Sequence, residues 1–288
     1  MNAALEISNL RKSYKGFVLK DISFSIPAGT IMGLIGPNGA GKTTVIKLVM
    51  NLIRREAGAV RIFGRDNIAQ EPEAKARIGF VYDEPCFPPD VSLGRIASAV
   101  APFYPRWDGK LFARTLEEFD LSSRKKFKTL SHGMKMKFAL ALALAHDADL
   151  ILMDEPTSGL DPVFRHELLV RLSTVIQDER KSVLFSTHLT SDLEKIADHV
   201  TLIHEGAIVF SAPKDEILET YGLVKAGGRD VSASEIPGLK GCRHSAYGLE
   251  ALTAELEAAR RSIGPRAVYE RASLEDIMYF ISKGEPHA

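Results

Sequence analysis

The sequence predicts an α/β protein with a mixed β-sheet core, and two observations carry this fold class. Apolar runs typical of buried strands alternate with segments of helical periodicity, which is the pattern of a parallel sheet covered on both faces. One of these runs, Ile31 to Ile35, leads directly into a glycine-rich loop and a helix. A chain of 288 residues has room for one large domain or two smaller ones.

The first part of the chain predicts an antiparallel β subdomain and one helix. Ile22, Phe24 and Ile26 alternate with serines, as on a half-buried antiparallel strand. Residues 60–63 predict a further β segment. Between them, apolar residues recur at helical spacing after the glycine-rich loop, which predicts a helix from Lys42 to about Arg54.

The middle of the chain predicts a helical subdomain inserted into the α/β core. From Glu84 to about His146, prolines and an aromatic cluster lead into helix-forming sequence with few strand signals. The strand pattern resumes at Leu150 to Met153 and at Val183 to Phe185. A hairpin is predicted around Glu205 and Gly206.

The last part of the chain gives weaker signals, and we expect a small accessory domain at residues 223–288 after a larger domain at residues 1–222. Gly227-Gly228 is a plausible linker, and residues 249–261 have helical periodicity. Ser273, followed by an aspartate three residues later, indicates an N-capped final helix. Regulation, dimerisation and core packing all stay open as roles for this segment.

The composition disfavours nucleic acid as a partner. The 37 basic and 37 acidic residues cancel, so no global field attracts a polyanion. The basic run Arg124 to Lys128 is interpreted as a solvated face. Cys86 and Cys242 lie in no metal-ligand spacing, which favours a reduced, intracellular protein.

The sequence also predicts that any membrane role works through a partner. The N-terminus lacks a charged start followed by an apolar core, so no signal peptide is expected. The most apolar helical stretch, Phe138 to Ala145, is far shorter than the about 20 residues that a membrane-spanning helix needs.

Residues 36–43 (Gly-Pro-Asn-Gly-Ala-Gly-Lys-Thr) fit the phosphate-loop pattern G-x-x-x-x-G-K-[ST] after a strand and at the start of a helix. Backbone N–H groups of such a loop, together with the helix N-terminus, bind phosphates. Lys42 would contact the β- and γ-phosphates, and the Thr43 hydroxyl would bind Mg²⁺. A chance glycine-rich turn is the alternative. The predicted nucleotide contacts in this segment are Gly36, Asn38, Gly39, Ala40, Gly41, Lys42, Thr43 and Thr44.

A pair of carboxylates follows the apolar run at residues 150–153. Asp154 is the expected Mg²⁺ ligand, and Glu155 is placed to polarise an attacking water. The alternative is a strand that ends in two solvated carboxylates, a common arrangement that becomes improbable beside a phosphate loop.

With these motifs the chain resembles the ATP-binding cassette (ABC) ATPases, which have a P-loop NTPase fold. The family signature, usually Leu-Ser-Gly-Gly-Gln, appears here as Leu130-Ser131-His132-Gly133-Met134. Ser131 suits a helix N-cap, and Gly133 leaves its N–H open to an anion. The resemblance implies that this segment contacts the γ-phosphate bound to a second ABC ATPase subunit. ATP then lies between two chains.

Three further elements occur in the family's order, and the resemblance assigns each a role. Residues 158–161, which end in Asp161, resemble the loop that crosses the dimer interface. His188 resembles the histidine that contacts the γ-phosphate and orders the water, and Tyr14 resembles the aromatic that stacks on adenine. Taken singly, His188 could be structural and Tyr14 could be ordinary packing.

One position departs from the family. A glutamine that binds Mg²⁺ and touches the membrane partner usually follows the strand at residues 78–81, whereas this chain has Asp83. A carboxylate still suits the cation. Glu84 could take the role instead, or Asp83 could serve mainly in coupling. Together with the signature and residues 274–277, this departure resembles small bacterial ABC-2-type ATPases, whose permease is a separate polypeptide.

The resemblance therefore implies an ATPase that dimerises around two Mg-ATP molecules and drives an integral-membrane permease, as part of an ABC-2-type exporter. Its expected location is the cytoplasmic face of the cell membrane, bound through the permease. A soluble ABC ATPase of ribosomes or DNA is the rival, although those proteins usually carry two cassettes or a long coiled-coil insertion. An ATP switch without hydrolysis is disfavoured by Glu155 and His188. The cargo and the choice between homodimer and heterodimer stay open.

Overall fold

The computed structural model describes residues 3–83, 85–227, 231–246 and 248–284. Glu84 and Gly228, which the sequence raised as a possible metal ligand and as part of a linker, lie outside these residues.

The strands are β1 (Ala3–Tyr14), β2 (Phe17–Pro27), β3 (Ile31–Ile35), β4 (Ala57–Ile62), β5 (Arg65–Asp66), β6 (Ile78–Val81), β7 (Leu150–Asp154), β8 (Ser182–Thr187), β9 (His199–His204), β10 (Ala207–Pro213), β11 (Gly222–Gly227), β12 (Leu239–Ser245), β13 (Gly248–Thr253) and β14 (Val268–Arg271). The helices are α1 (Lys42–Val49), α2 (Glu71–Lys75), α3 (Leu93–Val100), α4 (Gly109–Glu118), α5 (His132–Ala145), α6 (Pro162–Val175), α7 (Thr190–Ile196), α8 (Lys214–Thr220), α9 (Leu256–Ile263) and α10 (Leu274–Lys283).

The N-terminal strands form the antiparallel sheet that the sequence predicts. Its strand order is β2-β1-β4-β5. Ile22, Phe24 and Ile26 are buried, while Ser23 and Ser25 between them are exposed. The alternation on β2 thus places one face of the sheet against the core, as period-two patterning requires.

The central sheet is mixed and has the strand order β10-β9-β3-β8-β7-β6. Strands β6, β7, β8, β3 and β9 run parallel, and β10 pairs antiparallel with β9 through the predicted hairpin at Glu205 and Gly206. Every residue of β3, β7 and β8 is buried. The fold class is therefore confirmed. The carboxyl ends of β3, β7 and β8 share one sheet edge, where α/β proteins bind ligands.

Helices cover both faces of this central sheet. Helix α1 lies between it and the N-terminal sheet, in a cluster that joins Val45 of α1 to Leu5 of β1 and Leu152 of β7. On the opposite face α5, α6 and α7 contribute to a second cluster with the sheet. Covered on both sides, β3 and β7 are continuous apolar runs without alternation.

The predicted helical subdomain is present and is built by α3, α4 and α5. Its core centres on Phe138, which is fully buried among other aromatic side chains. The subdomain is joined to the sheet beside the turn that follows α5. There Tyr104 stacks on His146 with ring centroids 4.0 Å apart, and Arg106 bridges Asp147 and Asp149.

The last strands form a third, antiparallel sheet with the order β12-β13-β11-β14. Helix α9 packs on one of its faces, while α10 lies on the other, between this sheet and α7. Ser273 caps α10 in the predicted capping box with Asp276. The Leu274 N–H donates to Glu194 Oε1 at 2.8 Å, which ties the start of α10 to α7.

Three local predictions were wrong. Helix α1 ends at Val49 rather than near Arg54, because Asn51 adopts a left-handed conformation with φ of 50°. Residues 249–253 belong to β13 and not to a helix. Both faces of that strand are covered, so buried residues follow one another and imitate helical periodicity. Gly227 lies in β11, paired with Gly248, and is therefore no linker.

Within the part of the chain that the structure describes, no helix is both long enough and apolar enough to cross a membrane.

The buried histidine at the subdomain junction predicts a pH dependence of stability. Burial lowers the pKa of His146 from 6.5 to about 4. Between pH 6.5 and 4, His146 is therefore protonated in the unfolded chain and neutral in the folded chain. The free energy of unfolding that is present above pH 6.5 falls as the pH is lowered through this range to 4. At about 1.4 kcal/mol per pKa unit, the loss is on the order of 3 kcal/mol.

Urea unfolding at several pH values measures this effect. The stability difference between the wild type and His146→Gln should narrow as the pH falls from 7 to 4. His244→Gln removes an exposed histidine and is the control. A difference between wild type and His146→Gln that stays constant over this range would contradict the assignment.

Candidate functional site

The phosphate loop lies at the carboxyl end of β3, and its backbone requires glycine. A Cβ on Gly36 would lie 2.2 Å from the Ile203 carbonyl oxygen. Gly41 has φ of 114°, and a Cβ there would lie 2.9 Å from the Phe17 ring. Asn38 and Gly39 are exposed and Ala40 is buried; Thr43 and Thr44, in the first turn of α1, are half-buried. The loop is therefore curled tightly at its base and open at its tip.

The turn between β9 and β10 supports this loop. The Gly206 N–H donates to the Ala40 carbonyl at 3.2 Å, and the Gly206 carbonyl accepts from the Lys20 N–H at 2.6 Å. A Cβ on Gly206 would collide with the Val18 carbonyl oxygen at 1.9 Å. Sequence reasoning identified this hairpin but not its role beside the phosphate loop, because contact across 166 positions, from 40 to 206, leaves no local signal.

Lys42 is buried and points back toward the loop and the neighbouring strand. Its Nζ donates to the Gly36 carbonyl at 2.8 Å and lies 3.2 Å from Glu155 Oε1. Only 5% of the side chain is exposed. A buried ammonium needs such partners, since an unpaired charge away from water is strongly unfavourable.

Glu155 connects Lys42 to His188. Its Oε2 lies 2.8 Å from His188 Nδ1 and accepts the His188 backbone N–H at 3.3 Å. Glu155 has φ of 48°, an uncommon conformation for a non-glycine residue. Its backbone N–H donates to the Ser186 carbonyl at 3.1 Å, which holds this conformation in place.

Asp154 is buried at the end of β7, beside a serine that sequence reasoning missed. The Ser186 hydroxyl donates to Asp154 Oδ1 at 2.6 Å, and Asp154 is 2% exposed. A polar residue directly after the apolar run Val183 to Phe185 was the available signal. The hydroxyl of Ser186 and the backbone of Ser186 thus position both carboxylate residues.

The oxygen atoms at this edge suit Mg²⁺. Asp154 supplies a carboxylate, and Thr43 supplies a hydroxyl at the start of α1, which packs on β7. Across residues 3–83, 85–227, 231–246 and 248–284, no group of three or more His, Cys, Asp or Glu could hold a metal on its own. A Mg²⁺ ion typically binds only a few protein groups and takes its other ligands from substrate phosphates and water.

Asp83 lies at the same sheet edge as Asp154. It follows β6, which pairs with β7, and it is half-buried. The preceding Tyr82 ring lies 5.7 Å from Lys47 Nζ of α1. The segment after β6 is thereby held beside the phosphate-loop helix.

The signature segment packs against residues 158–161. Ser131 caps α5 and accepts the Met134 N–H at 3.3 Å, while a Cβ on Gly133 would lie 3.6 Å from Leu160. Asp161 caps α6 by accepting the backbone N–H groups of residues 163 and 164. The two predicted interface segments therefore form one surface.

The structure brings the predicted residues into two groups. Lys42, Glu155 and His188 are in direct contact, whereas in the described part of the chain no hydrogen bond or ion pair joins the signature segment to the phosphate loop. Tyr14 is in neither group and lies beside the phosphate loop. It is 44% exposed and pairs with Phe17, whose ring adjoins Gly41.

Comparisons with known proteins agree with this geometry. A family model described as ABC transporter matches residues 19–158. The chain is 31% identical over 294 residues to the Nod factor export ATP-binding protein I of Burkholderia orbicola (strain AU 1054), which covers 96% of this chain and 95% of that protein. It is 30% identical over 215 residues to the ABC transporter ATP-binding protein NatA of Bacillus subtilis (strain 168), covering 70% of this chain and 84% of that protein.

Solved structures give the same result. The ATP binding subunit of an ABC transporter superposes with a TM-score of 0.69 at 27% identity, covering 75% of this chain and 92% of that one. The cbiO1 protein from Clostridium perfringens, part of the ABC transporter complex cbiONQ, superposes with a TM-score of 0.64 and covers 76% of this chain and 92% of that one. At 22% identity, the second likeness supports the fold alone.

The Ser186 hydroxyl should contribute more to the free energy of unfolding than the hydroxyl of Ser182 on the same strand. Ser186→Ala removes a donor to a buried carboxylate, and we expect the free energy of unfolding to fall by about 1.5–3 kcal/mol. Ser182→Ala is the matched control, because Ser182 is equally buried but only accepts from the Gly29 N–H; about 0.5–1.5 kcal/mol is expected there. Denaturant unfolding measures both. A loss for Ser186→Ala no larger than for Ser182→Ala would be the contrary result.

Proposed function

The chain belongs to the ABC transporter family as an ATP-binding, ATP-hydrolysing subunit, and on this premise we propose that two such subunits close on two Mg-ATP molecules to drive a separate permease. We further propose that the transporter formed with this permease is an ABC-2-type exporter. It is carried by the contact of Lys42 and His188 with Glu155 at the sheet edge where β3 and β7 end. A relative named for export, the Nod factor export ATP-binding protein I, aligns over nearly the whole chain and supports the exporter assignment.

The phosphate loop is proposed to bind the phosphates of the nucleotide. Backbone N–H groups of the loop glycines and the N-terminus of α1 would face the phosphates, and Thr44 adds a hydroxyl in the first helical turn. Tyr14, exposed at the end of the β1–β2 hairpin, offers its ring to adenine. Since the Phe17 ring lies beside Gly41, the base and the phosphates would be bound by adjoining parts of one surface.

Lys42 is proposed to exchange partners when ATP binds. Its ammonium now pairs with Glu155 and the Gly36 carbonyl. The β- and γ-phosphates carry more negative charge than one carboxylate and attract the ammonium more strongly. Binding of ATP would therefore draw Lys42 from Glu155 and leave that carboxylate free to accept a hydrogen bond from water.

Asp154 and Thr43 would hold Mg²⁺, with Asp83 as a further oxygen ligand at the same edge. When bound, the ion neutralises charge on the β- and γ-phosphates. Ser186 holds the Asp154 carboxylate in one orientation, so a ligand oxygen is positioned before the ion arrives.

Glu155 is the proposed general base, and His188 positions it. The carboxylate accepts a proton from the attacking water, a contribution typically worth about 10²–10⁴-fold in rate. The 2.8 Å contact with His188 Nδ1 fixes one carboxylate oxygen. On this proposal the imidazole also contacts the γ-phosphate of bound ATP and orders the water. The unusual backbone of Glu155 is consistent with a functional constraint.

A second subunit is proposed to complete the site. Among the described residues of one chain, no hydrogen bond or ion pair joins Ser131, Gly133 or Asp161 to Lys42. The N-terminus of α5, capped by Ser131, carries partial positive charge that suits a phosphate. Two chains arranged head to tail would place the signature of each over the nucleotide of the other.

The permease would select the cargo and hold this subunit at the cytoplasmic face of the membrane. We also propose that residues 223–288 act as an accessory domain. Its helix α10 packs against α7, which begins two residues after His188, so it lies close enough to influence the catalytic end of the fold.

Glu155→Gln tests the assigned base and the dimer together. The variant should bind ATP, because the phosphate loop is intact, and lose about 10²-fold or more of turnover. It should also accumulate as an ATP-bound dimer in size-exclusion chromatography with Mg²⁺. Lys42→Ala is the control, since it should lose nucleotide affinity and remain monomeric. Wild-type turnover in Glu155→Gln would exclude Glu155 as the base.

The permease assignment predicts which polypeptide accompanies the chain. Affinity purification from detergent-solubilised native membranes, followed by mass spectrometry, should recover a multi-span membrane protein in stoichiometric amounts. Ribosomal proteins or DNA recovered in its place would favour the soluble ABC ATPases that act on those partners.

A further inference from the structure

His132 lies where the ABC signature usually has glycine, and in this chain its side chain makes a specific contact. Its Nε2 is 3.1 Å from the Ser158 carbonyl oxygen. Because a carbonyl can only accept, Nε2 carries the hydrogen and donates it. The imidazole is half-buried and spans the gap between the start of α5 and the loop at residues 158–161.

Ser158 also contacts the proposed base. Its backbone N–H donates to the Glu155 carbonyl at 3.1 Å, while its own carbonyl accepts from His132. One peptide segment therefore joins the signature to the residue that binds Lys42 and His188. The path from His132 to Glu155 consists of two hydrogen bonds that meet at Ser158.

Helices α5 and α6 also contact each other at positions away from this hydrogen-bonded path. Lys137, four residues after Gly133 on α5, lies 4.5 Å above the Phe164 ring and 3.7 Å from Glu167 of α6. A Cβ on Gly133 would also lie 3.7 Å from Phe164. Helix α5 and the start of α6 thus form one packed unit, and His132 adds a polar contact at the N-terminal end of α5.

We propose that His132 is a positioning residue that links the signature segment to Glu155 through Ser158. The proposal rests on the proposed function, in which the signature serves the nucleotide of the opposite subunit. Engagement of that nucleotide then orders His132, the Ser158 carbonyl and the Glu155 backbone together. Hydrolysis in one site is thereby coupled to occupancy of the other.

Two substitutions separate the hydrogen bond from the bulk of the side chain. His132→Gln keeps an N–H donor near the Nε2 position, whereas His132→Leu keeps the size and removes the donor. His166→Leu makes the same change at an exposed histidine of α6 and is the matched control. The full chain is measured for kcat, ATP affinity and thermal unfolding temperature.

In His132→Leu, kcat should fall about fivefold, the factor expected from one lost neutral hydrogen bond. ATP affinity should equal that of the wild type, since the phosphate loop is unchanged. His132→Gln and His166→Leu should both retain wild-type kcat. His132→Leu should unfold at a lower temperature than His166→Leu, because it loses one hydrogen bond, and His132→Gln should unfold at the wild-type temperature. A purely structural role for His132 would give this shift in unfolding temperature without the fall in kcat.

Three results would overturn this proposal. The first is wild-type kcat in His132→Leu, and the second is an equal loss of kcat in His132→Gln. The third is weaker ATP binding in both variants, which would mean that the imidazole itself contacts the nucleotide. Failure of the proposed function is distinguishable, because it would appear in the wild type and in Glu155→Gln, as no ATP-dependent dimer and no effect on turnover.

Discussion

The buried ion pair between Lys42 and Glu155 is the constraint on which the rest of the site depends. The ammonium, only 5% exposed, must be compensated by a carboxylate that lies 113 positions later in the chain, at 155 against 42. This pairing is possible because β3 and β7 both flank β8 and end at the same edge of the sheet. Strand order therefore decides whether the phosphate loop has a carboxylate beside it.

Packing around α1 maintains that geometry. The helix lies between two sheets, and its cluster reaches from Leu5 in the first sheet to Leu152 in the central one. A shift of α1 would move Lys42 and the phosphate loop together relative to β7. The support is therefore a close-packed layer, which responds to small changes in volume. The hydrogen bonds of Ser186 perform the equivalent task for Asp154 and Glu155.

Sequence patterns predicted the structure correctly where the physical cause acts within a few residues. The phosphate loop, the alternation on β2 and the Ser273 cap of α10 were all predicted, because glycine conformation, period-two burial and side-chain capping act within a few residues. Prediction was wrong for residues 249–253, where burial on both faces removed the alternation that identifies a strand. It also placed the end of α1 too late, since Leu52 and Ile53 continue the helical spacing beyond Asn51, where the helix has already ended.

The sequence by itself determined the family, the fold class and the segments that would hold nucleotide, because these follow from short motifs in a required order. Their individual roles remain predictions. Only the tertiary structure decided which side chains meet: Lys42 with Glu155, Ser186 with Asp154, and His132 with Ser158. Each pair is brought together by sheet order or by helix packing, and such contacts between distant positions leave no periodic trace along the chain.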